Sequence, residues 1–116
     1  MRIAKLDVEA HPEGPVIRVA GEVDLSNSDA VRNDIVRAVP HDANGVVLDL
    51  TQTTYLDSSG IRLLFDLAER LHARRQRMVL VVAEAALVRR VVVLTKLDDA
   101  VPLLEGVDEA LAVLRE

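Results

Sequence analysis

The spacing of hydrophobic residues along this chain predicts short strands that alternate with amphipathic helices. Alternating apolar residues near the N-terminus predict a hairpin around a turn at residues 11–15, where prolines and a glycine disfavour regular pairing. Uninterrupted apolar and β-branched runs farther along predict buried strands. The last strand is predicted at an edge, because Pro102 cannot donate to a ladder. The predicted strands are residues 3–8, 16–20, 45–50, 78–83 and 100–104.

Apolar residues three and four positions apart predict helices between these strands. Residues 26–28 supply N-cap candidates for the first helix, and Pro40 ends it. Residues 85–94 are ambiguous, because three consecutive valines favour a strand whereas the spacing of Leu87 and Val91 also fits a helix. We favour the helix. The other predicted helices are residues 29–39, 61–74 and 107–114.

Strands followed by helices imply crossover connections, which predict the α/β fold class. We expect a single domain over residues 1–116, with a mixed sheet of four to five strands packed against about four helices. Hydrophobic residues make up 50% of the chain, enough for one core. That core must be aliphatic, because Tyr55 and Phe65 are the only aromatic residues.

Composition removes several classes of function. The chain has no cysteine, which excludes disulfides, zinc–thiolate sites and thiol catalysis. Its net charge of −5 gives no general attraction to nucleic acid or anionic lipid, and its longest apolar run, at 78–83, is far shorter than the roughly 20 residues of a spanning helix. We therefore expect a soluble, cytoplasmic domain that binds neither nucleic acid nor membrane. His11, His41 and His72 lack metal-ligand spacing, so no metal or cofactor is expected.

The segment Asp57-Ser58-Ser59-Gly60 lies between a buried strand and the clearest helix, and it carries the strongest functional signal. Asp57 or Ser58 is suited to cap the helix, and Gly60 to let it pack closely. Alternatively, Ser58 is an exposed serine at a helix N-terminus, where the oriented amides favour an added phosphate. A hydrolase nucleophile is disfavoured, because Gly-x-Ser-x-Gly is absent and no histidine is placed to serve as its base.

Four blocks, in order, make the chain resemble a STAS domain of the anti-sigma-factor antagonist family. These proteins act in the partner-switching systems of bacterial stress and sporulation control. The matching blocks are Gly21-Glu22-Val23-Asp24, residues 46–50, residues 56–61, and residues 88–91 with 94–98. The sequence departs from the family at Lys96, where many members have glycine, and at residues 74–77, which replace a glycine-rich turn. Both departures are expected at the surface.

The resemblance implies roles for five residues that a partner would contact. Ser58 is the phosphoacceptor, with Ser59 its neighbour and an additional cap. Asp57 orients the loop or engages the nucleotide site of the kinase. Gly60 lets the backbone of the partner approach. Asp24 lines the same surface from the loop after the second strand; we expect its side chain to be exposed and to matter little for stability.

The resemblance also implies a function and partners. The unphosphorylated protein would bind an anti-sigma factor that is also an ATP-binding serine kinase, releasing a sigma factor, and phosphorylation of Ser58 would block that binding. A PP2C-type phosphatase would reverse the modification. ATP and magnesium belong to the kinase, so this chain is expected to be no enzyme and to hold no cofactor. The alternatives are a STAS interaction subunit of a transporter or lipid-trafficking ATPase complex, and a small enzyme or nucleotide-binding protein.

Overall fold

The computed structural model describes residues 3–116, and within them it has six strands and four helices. A 3₁₀ turn at Leu97–Asp99 follows the third helix. The strands are β1 (Ala4–Glu9), β2 (Val16–Val23), β3 (Gly45–Asp49), β4 (Thr53–Leu56), β5 (Arg77–Val81) and β6 (Leu103–Leu104). The helices are α1 (Ser28–Ala38), α2 (Ser58–Ala73), α3 (Leu87–Leu94) and α4 (Val107–Arg115).

All six strands form one mixed sheet, so the predicted fold class is confirmed. The strand order is β1-β2-β3-β5-β6, and β4 pairs with β2 as well. The hairpin of β1 and β2 is antiparallel, whereas every other pair is parallel. The short strand β6 lies at an edge, as expected from Pro102. The ambiguous segment is helix α3, which begins at Leu87 and buries Val88 and Val92.

The strand that the sequence analysis missed, β4, is central to the site. Strand β2 extends beyond the end of β3. Its first three residues pair with β3, and its last three residues pair with β4. The register shifts between Gly21 and Glu22, where Gly21 adopts φ +106°. A Cβ atom at Gly21 would lie 2.3 Å from the carbonyl oxygen of Ile3, so only glycine fits there. This kink lets the end of β2 run beside β4.

Helices cover both faces of the sheet and leave an aliphatic core on each side. On one face, α1, α2 and α3 bury Ile35, Leu67 and Val92 against the sheet. On the other face, α4 buries Leu111 and Leu114 against β3 and β5. Neither tyrosine nor phenylalanine is among the fully buried side chains. The prediction of an aliphatic core is therefore confirmed.

The two departures from the family pattern lie in turns with left-handed backbone, and one of them, at residues 74–77, was wrongly expected to lie wholly at the surface. Lys96 and Arg75 adopt φ 63° and 59°, the left-handed region that favours glycine. Lys96 is exposed, as expected. Gln76, expected at the surface, is instead only 4% exposed. Its Nε2 donates to the carbonyl oxygens of Pro40 at 2.7 Å and Ala43 at 3.0 Å, so it holds the turn before β3 in place.

Candidate partner-binding site

Asp57 is the N-cap of α2. Its Oδ1 accepts hydrogen bonds from the backbone N–H groups of Ser59 at 2.8 Å and Gly60 at 3.1 Å. Its own carbonyl oxygen accepts from the N–H of Ile61 at 3.1 Å. Of the two capping candidates, Asp57 and Ser58, the structure selects the aspartate. The cap satisfies the N–H groups that the first helical turn would otherwise leave without partners.

The same carboxylate fixes a second loop against the start of α2. Oδ2 of Asp57 accepts a hydrogen bond from the N–H of Leu25 at 3.2 Å. In return, the N–H of Asp57 donates to the carbonyl oxygen of Val23 at 3.3 Å. Because β2 and β4 are parallel neighbours, the loops that follow them leave the sheet at the same edge. The structure therefore brings the Asp24 loop and the Ser58 helix together, as the sequence analysis expected.

Asp24 is a structural part of its loop. Its Oδ1 accepts from the N–H of Ser26 at 2.9 Å and from the hydroxyl of the same residue. The side chain of Asn27 adds two bonds, accepting from the N–H of Asp24 at 3.0 Å and donating to the carbonyl oxygen of Glu22 at 2.8 Å. Asp24 is half-buried. The expectation of an exposed side chain is therefore wrong.

Exposure distinguishes the residues of the Asp57–Gly60 segment. Ser58 is exposed, whereas Asp57 and Ser59 are half-buried. Gly60 is buried, and a Cβ atom there would lie 2.8 Å from Cδ2 of Leu56 and 3.3 Å from the carbonyl oxygen of Val23. The expectation that Gly60 lets the backbone of a partner approach is therefore corrected: its missing side chain admits the chain's own Leu56. Ser58 is the serine of this segment whose side chain is exposed.

Two residues of this surface were not singled out from the sequence. Leu25 is 80% exposed, although its backbone is held by Asp57. Arg62 is exposed and, together with Leu25 and Ser59, lines a cleft of about 350 Å³ between α1 and α2. Arg62 could have been noticed from its spacing, four residues after Ser58 on the same helix. The exposure of Leu25 depends on tertiary contacts that the sequence does not reveal.

His11 and His41 both lie away from Ser58. His11 bonds to Glu9 before β2 begins, and His41 bonds to Arg74 at the C-terminal end of α2. The first contact lies at the start of β2 and the second at the end of α2, whereas the site lies at the end of β2 and the start of α2. Neither imidazole is therefore beside Ser58. Within residues 3–116, no group of three or more potential ligands is arranged to hold a metal ion.

This fold matches that of a known family. The model of the STAS domain family matches residues 5–110, so the chain belongs to the STAS domain family. An anti-sigma factor antagonist from Mycobacterium paratuberculosis is 30% identical, with a TM-score of 0.86 over 98% of this chain and 96% of that one.

Two further structures share the fold at lower identity. SpoIIAA in its unphosphorylated form is 23% identical, with a TM-score of 0.76 over 96% of each chain. The phosphorylated form of SpoIIAA, a Bacillus cell fate determinant, is 22% identical, with a TM-score of 0.68 over 96% of this chain and 100% of that one. In the part of this chain that the structure describes, no helix has the length and apolar character needed to cross a bilayer.

Proposed function

We propose that this protein is an anti-sigma-factor antagonist that is switched by phosphorylation of Ser58. In its unmodified form it binds an ATP-binding anti-sigma factor that is also a serine kinase, and a sigma factor is released. Phosphorylated Ser58 blocks that binding, and a PP2C-type phosphatase restores it. The protein is the substrate and binding partner of the kinase and acts in the cytoplasm without a cofactor of its own.

The observation that carries this proposal is that Asp57 is bonded within the chain whereas the adjacent Ser58 is exposed. Asp57 uses both carboxylate oxygens within the chain and so fixes the backbone that follows the serine and the Leu25 loop beside it. Ser58 remains exposed at the first position of α2. A rigid backbone with one exposed hydroxyl suits a kinase, because little ordering entropy is lost when the segment enters the active site. Membership of the STAS family and similarity to an anti-sigma factor antagonist of Mycobacterium paratuberculosis support the same function.

The switch follows from charge. Phosphorylation adds roughly −1.5 to −2 charges to Ser58. Asp57 and Asp24 already make this surface acidic, and both lie within the loops that the Asp57–Leu25 bond joins. A partner that packs over Ser58 would have to strip water from the phosphate beside these carboxylates. A thousandfold loss of affinity needs only about 4 kcal/mol, which an unpaired charge at an interface supplies.

The proposal predicts a phosphorylation that intact-mass measurement detects directly. The protein is co-expressed with each ATP-binding anti-sigma kinase encoded by its source genome, and its intact mass is measured. We expect one of these kinases to add a single phosphate, which peptide mapping places on Ser58. A catalytically inactive version of that kinase is the matched control. The proposal is rejected if a kinase that binds this protein and hydrolyses ATP adds no phosphate to it.

A further inference from the structure

The backbone amides at the start of α2 are already in use. The N–H groups of Ser59 and Gly60 donate to Oδ1 of Asp57, and the N–H of Ile61 donates to its carbonyl oxygen. A phosphate on Ser58 therefore finds the three amides that follow it occupied. The nearest aspartate, Asp57, carries charge of the same sign as the phosphate. Within this chain, a nearby cationic side chain is therefore the group that would balance part of the added charge.

Arg62 is placed to supply that cation. It lies four residues after Ser58 on α2, and both side chains are exposed. Residues four apart on a helix have Cβ atoms about 5–6 Å apart, and the anion-first order is the favourable orientation for such a pair. The guanidinium group can also meet two phosphate oxygens at once, which an ammonium group cannot.

Arg62 is also available, because its neighbouring carboxylate is engaged elsewhere. Asp66, one turn farther along α2, lies 2.9 Å from Nε of Arg70 and 3.8 Å from Nε of Arg32. Arg32 is further paired with Asp29 at 3.3 Å. Among the ion pairs formed within residues 3–116, none includes Arg62. Of the arginines that line the cleft beside Ser59, Arg62 is thus the one without an acidic partner among residues 3–116.

We propose that Arg62 pairs with the phosphate on Ser58 and so stabilises the phosphorylated form of the free protein. This rests on the proposed function, because it presupposes that Ser58 is the modified residue. Arg62 is a positioning residue for the phosphate: it neutralises part of the added charge and keeps the phosphate over the first turn of α2. Phosphorylation then leaves the Asp57 cap and the Leu25 loop intact.

The pairing is tested without the kinase, by genetic encoding of phosphoserine at position 58. The second pKa of that phosphate is measured by ³¹P NMR titration in the otherwise unchanged protein and in Arg62→Ala, Arg62→Lys and Arg75→Ala. Arg75 is exposed in the turn after the C-terminal end of α2, away from Ser58, and provides the matched loss of one charge. We expect the phosphate pKa to be about 0.15–0.4 unit higher in Arg62→Ala, the shift that corresponds to an exposed helical ion pair. Arg62→Lys should lie between, and Arg75→Ala should titrate like the parent.

Melting curves provide the second readout. In Arg62→Ala, we expect phosphoserine at position 58 to lower the melting temperature, whereas in the parent it should change it little. The inference is overturned if the phosphate titrates identically with and without Arg62, or if Arg75→Ala shifts it equally. Either of those results leaves the proposed function standing, because it concerns only how the phosphate is held. Failure of every kinase to modify Ser58 would instead reject the proposed function.

Discussion

Asp57 accepts a hydrogen bond from the backbone N–H of Leu25, a residue 32 positions earlier in the chain. Its other carboxylate oxygen caps α2 at Ser59 and Gly60. One side chain thus sets the position of two loops that come from different strands. Ser58 is presented at the junction between them, which explains how a four-residue segment can define a binding surface.

Substitution of Asp57 separates its two roles. Asp57→Ala removes the cap and should lower the free energy of unfolding by about 1 kcal/mol. Asp57→Asn keeps one oxygen for the cap but replaces the other by an amide group, which cannot accept from Leu25. We expect Asp57→Asn to lose less stability than Asp57→Ala and still to bind the anti-sigma factor more weakly than the parent. Chemical denaturation and calorimetry measure the two effects.

Asp42 offers the control for that comparison. It is an exposed aspartate in the turn after α1, and Asp42→Ala removes the same charge away from the site. Stability and binding of Asp42→Ala should match those of the parent. If Asp57→Asn binds as tightly as Asp42→Ala, the bond to Leu25 has no part in recognition.

Asp24 should influence both stability and binding. Asp24→Ala removes the acceptor of two bonds from Ser26, so we expect a loss of about 1 kcal/mol in the free energy of unfolding. Asp24→Asn retains an acceptor oxygen and should recover most of that loss. Asp24→Lys should weaken the complex more than Asp24→Ala, because it also reverses a charge that the partner meets. Melting curves that coincide for Asp24→Ala and the parent would show that the Ser26 bonds contribute nothing.

Much of this architecture follows from local patterns, and the exceptions have physical causes. The helix α2 and its capping candidates were predictable because a capping side chain and an apolar stripe lie within a few adjacent turns. Strand β4 was missed because its four residues, Thr53–Leu56, contain neither an apolar run nor an alternation of apolar and polar positions. They form a strand only because the kink at Gly21 carries the end of β2 alongside them.

The proximity of the Asp24 loop and the start of α2 was predictable, but the roles of the individual residues were not. The resemblance brought Asp24 and Ser58 together, and parallel pairing of β2 and β4 accounts for it. Gly60 was assigned to the partner because a glycine in a motif does not reveal which atoms it admits; here they belong to Leu56. Gln76 was misplaced for a related reason, since the carbonyl groups that bury it come from a turn more than 30 residues away.

Lys96 offers a test of backbone strain away from the site. Its φ of 63° lies in the left-handed region, which costs a residue with a side chain roughly 1–2 kcal/mol. Lys96→Gly relieves this strain, but part of the relief is offset by the greater freedom of glycine in the unfolded chain. The substitution should therefore raise the free energy of unfolding by about 0.5–1 kcal/mol. Lys96→Ala keeps the Cβ atom and should bring no such gain. Equal stability of the two variants would refute the strain, as judged by denaturant titration.

The ion pair of Glu13 and Arg115 should make stability depend on pH. The hydrogen bond from Arg115 lowers the pKa of Glu13 below its ordinary value, with a smaller contribution from its own backbone N–H. Because the pKa is lowered by folding, the stabilisation is present at neutral pH and is lost as the pH falls through the lowered value. Glu13→Gln should therefore melt below the parent at pH 7, and the difference should shrink below about pH 4.

Glu105→Gln is the control for that titration, since Glu105 is exposed and forms no ion pair within residues 3–116. Its melting temperature should follow that of the parent at every pH. A gap between Glu13→Gln and the parent that stays constant from neutral to acidic pH would show that the charge of Glu13 is not what stabilises the fold.

The choice between the two serines can be settled by mass spectrometry. Ser58 is exposed and Ser59 half-buried, so the kinase should reach Ser58. Ser58→Ala should abolish incorporation of phosphate, whereas Ser59→Ala should leave it largely intact. Incorporation that survives in Ser58→Ala and disappears in Ser59→Ala would move the modification to the second serine.

The central claim is that phosphate on Ser58 prevents binding, and one calorimetric comparison tests it most directly. The anti-sigma factor that phosphorylates this protein is titrated with the unmodified chain and with the chain that carries phosphoserine at position 58. We expect the dissociation constant to rise by about a thousandfold or more with the phosphate, which corresponds to about 4 kcal/mol. Equal dissociation constants for the two forms would contradict the phosphorylation switch.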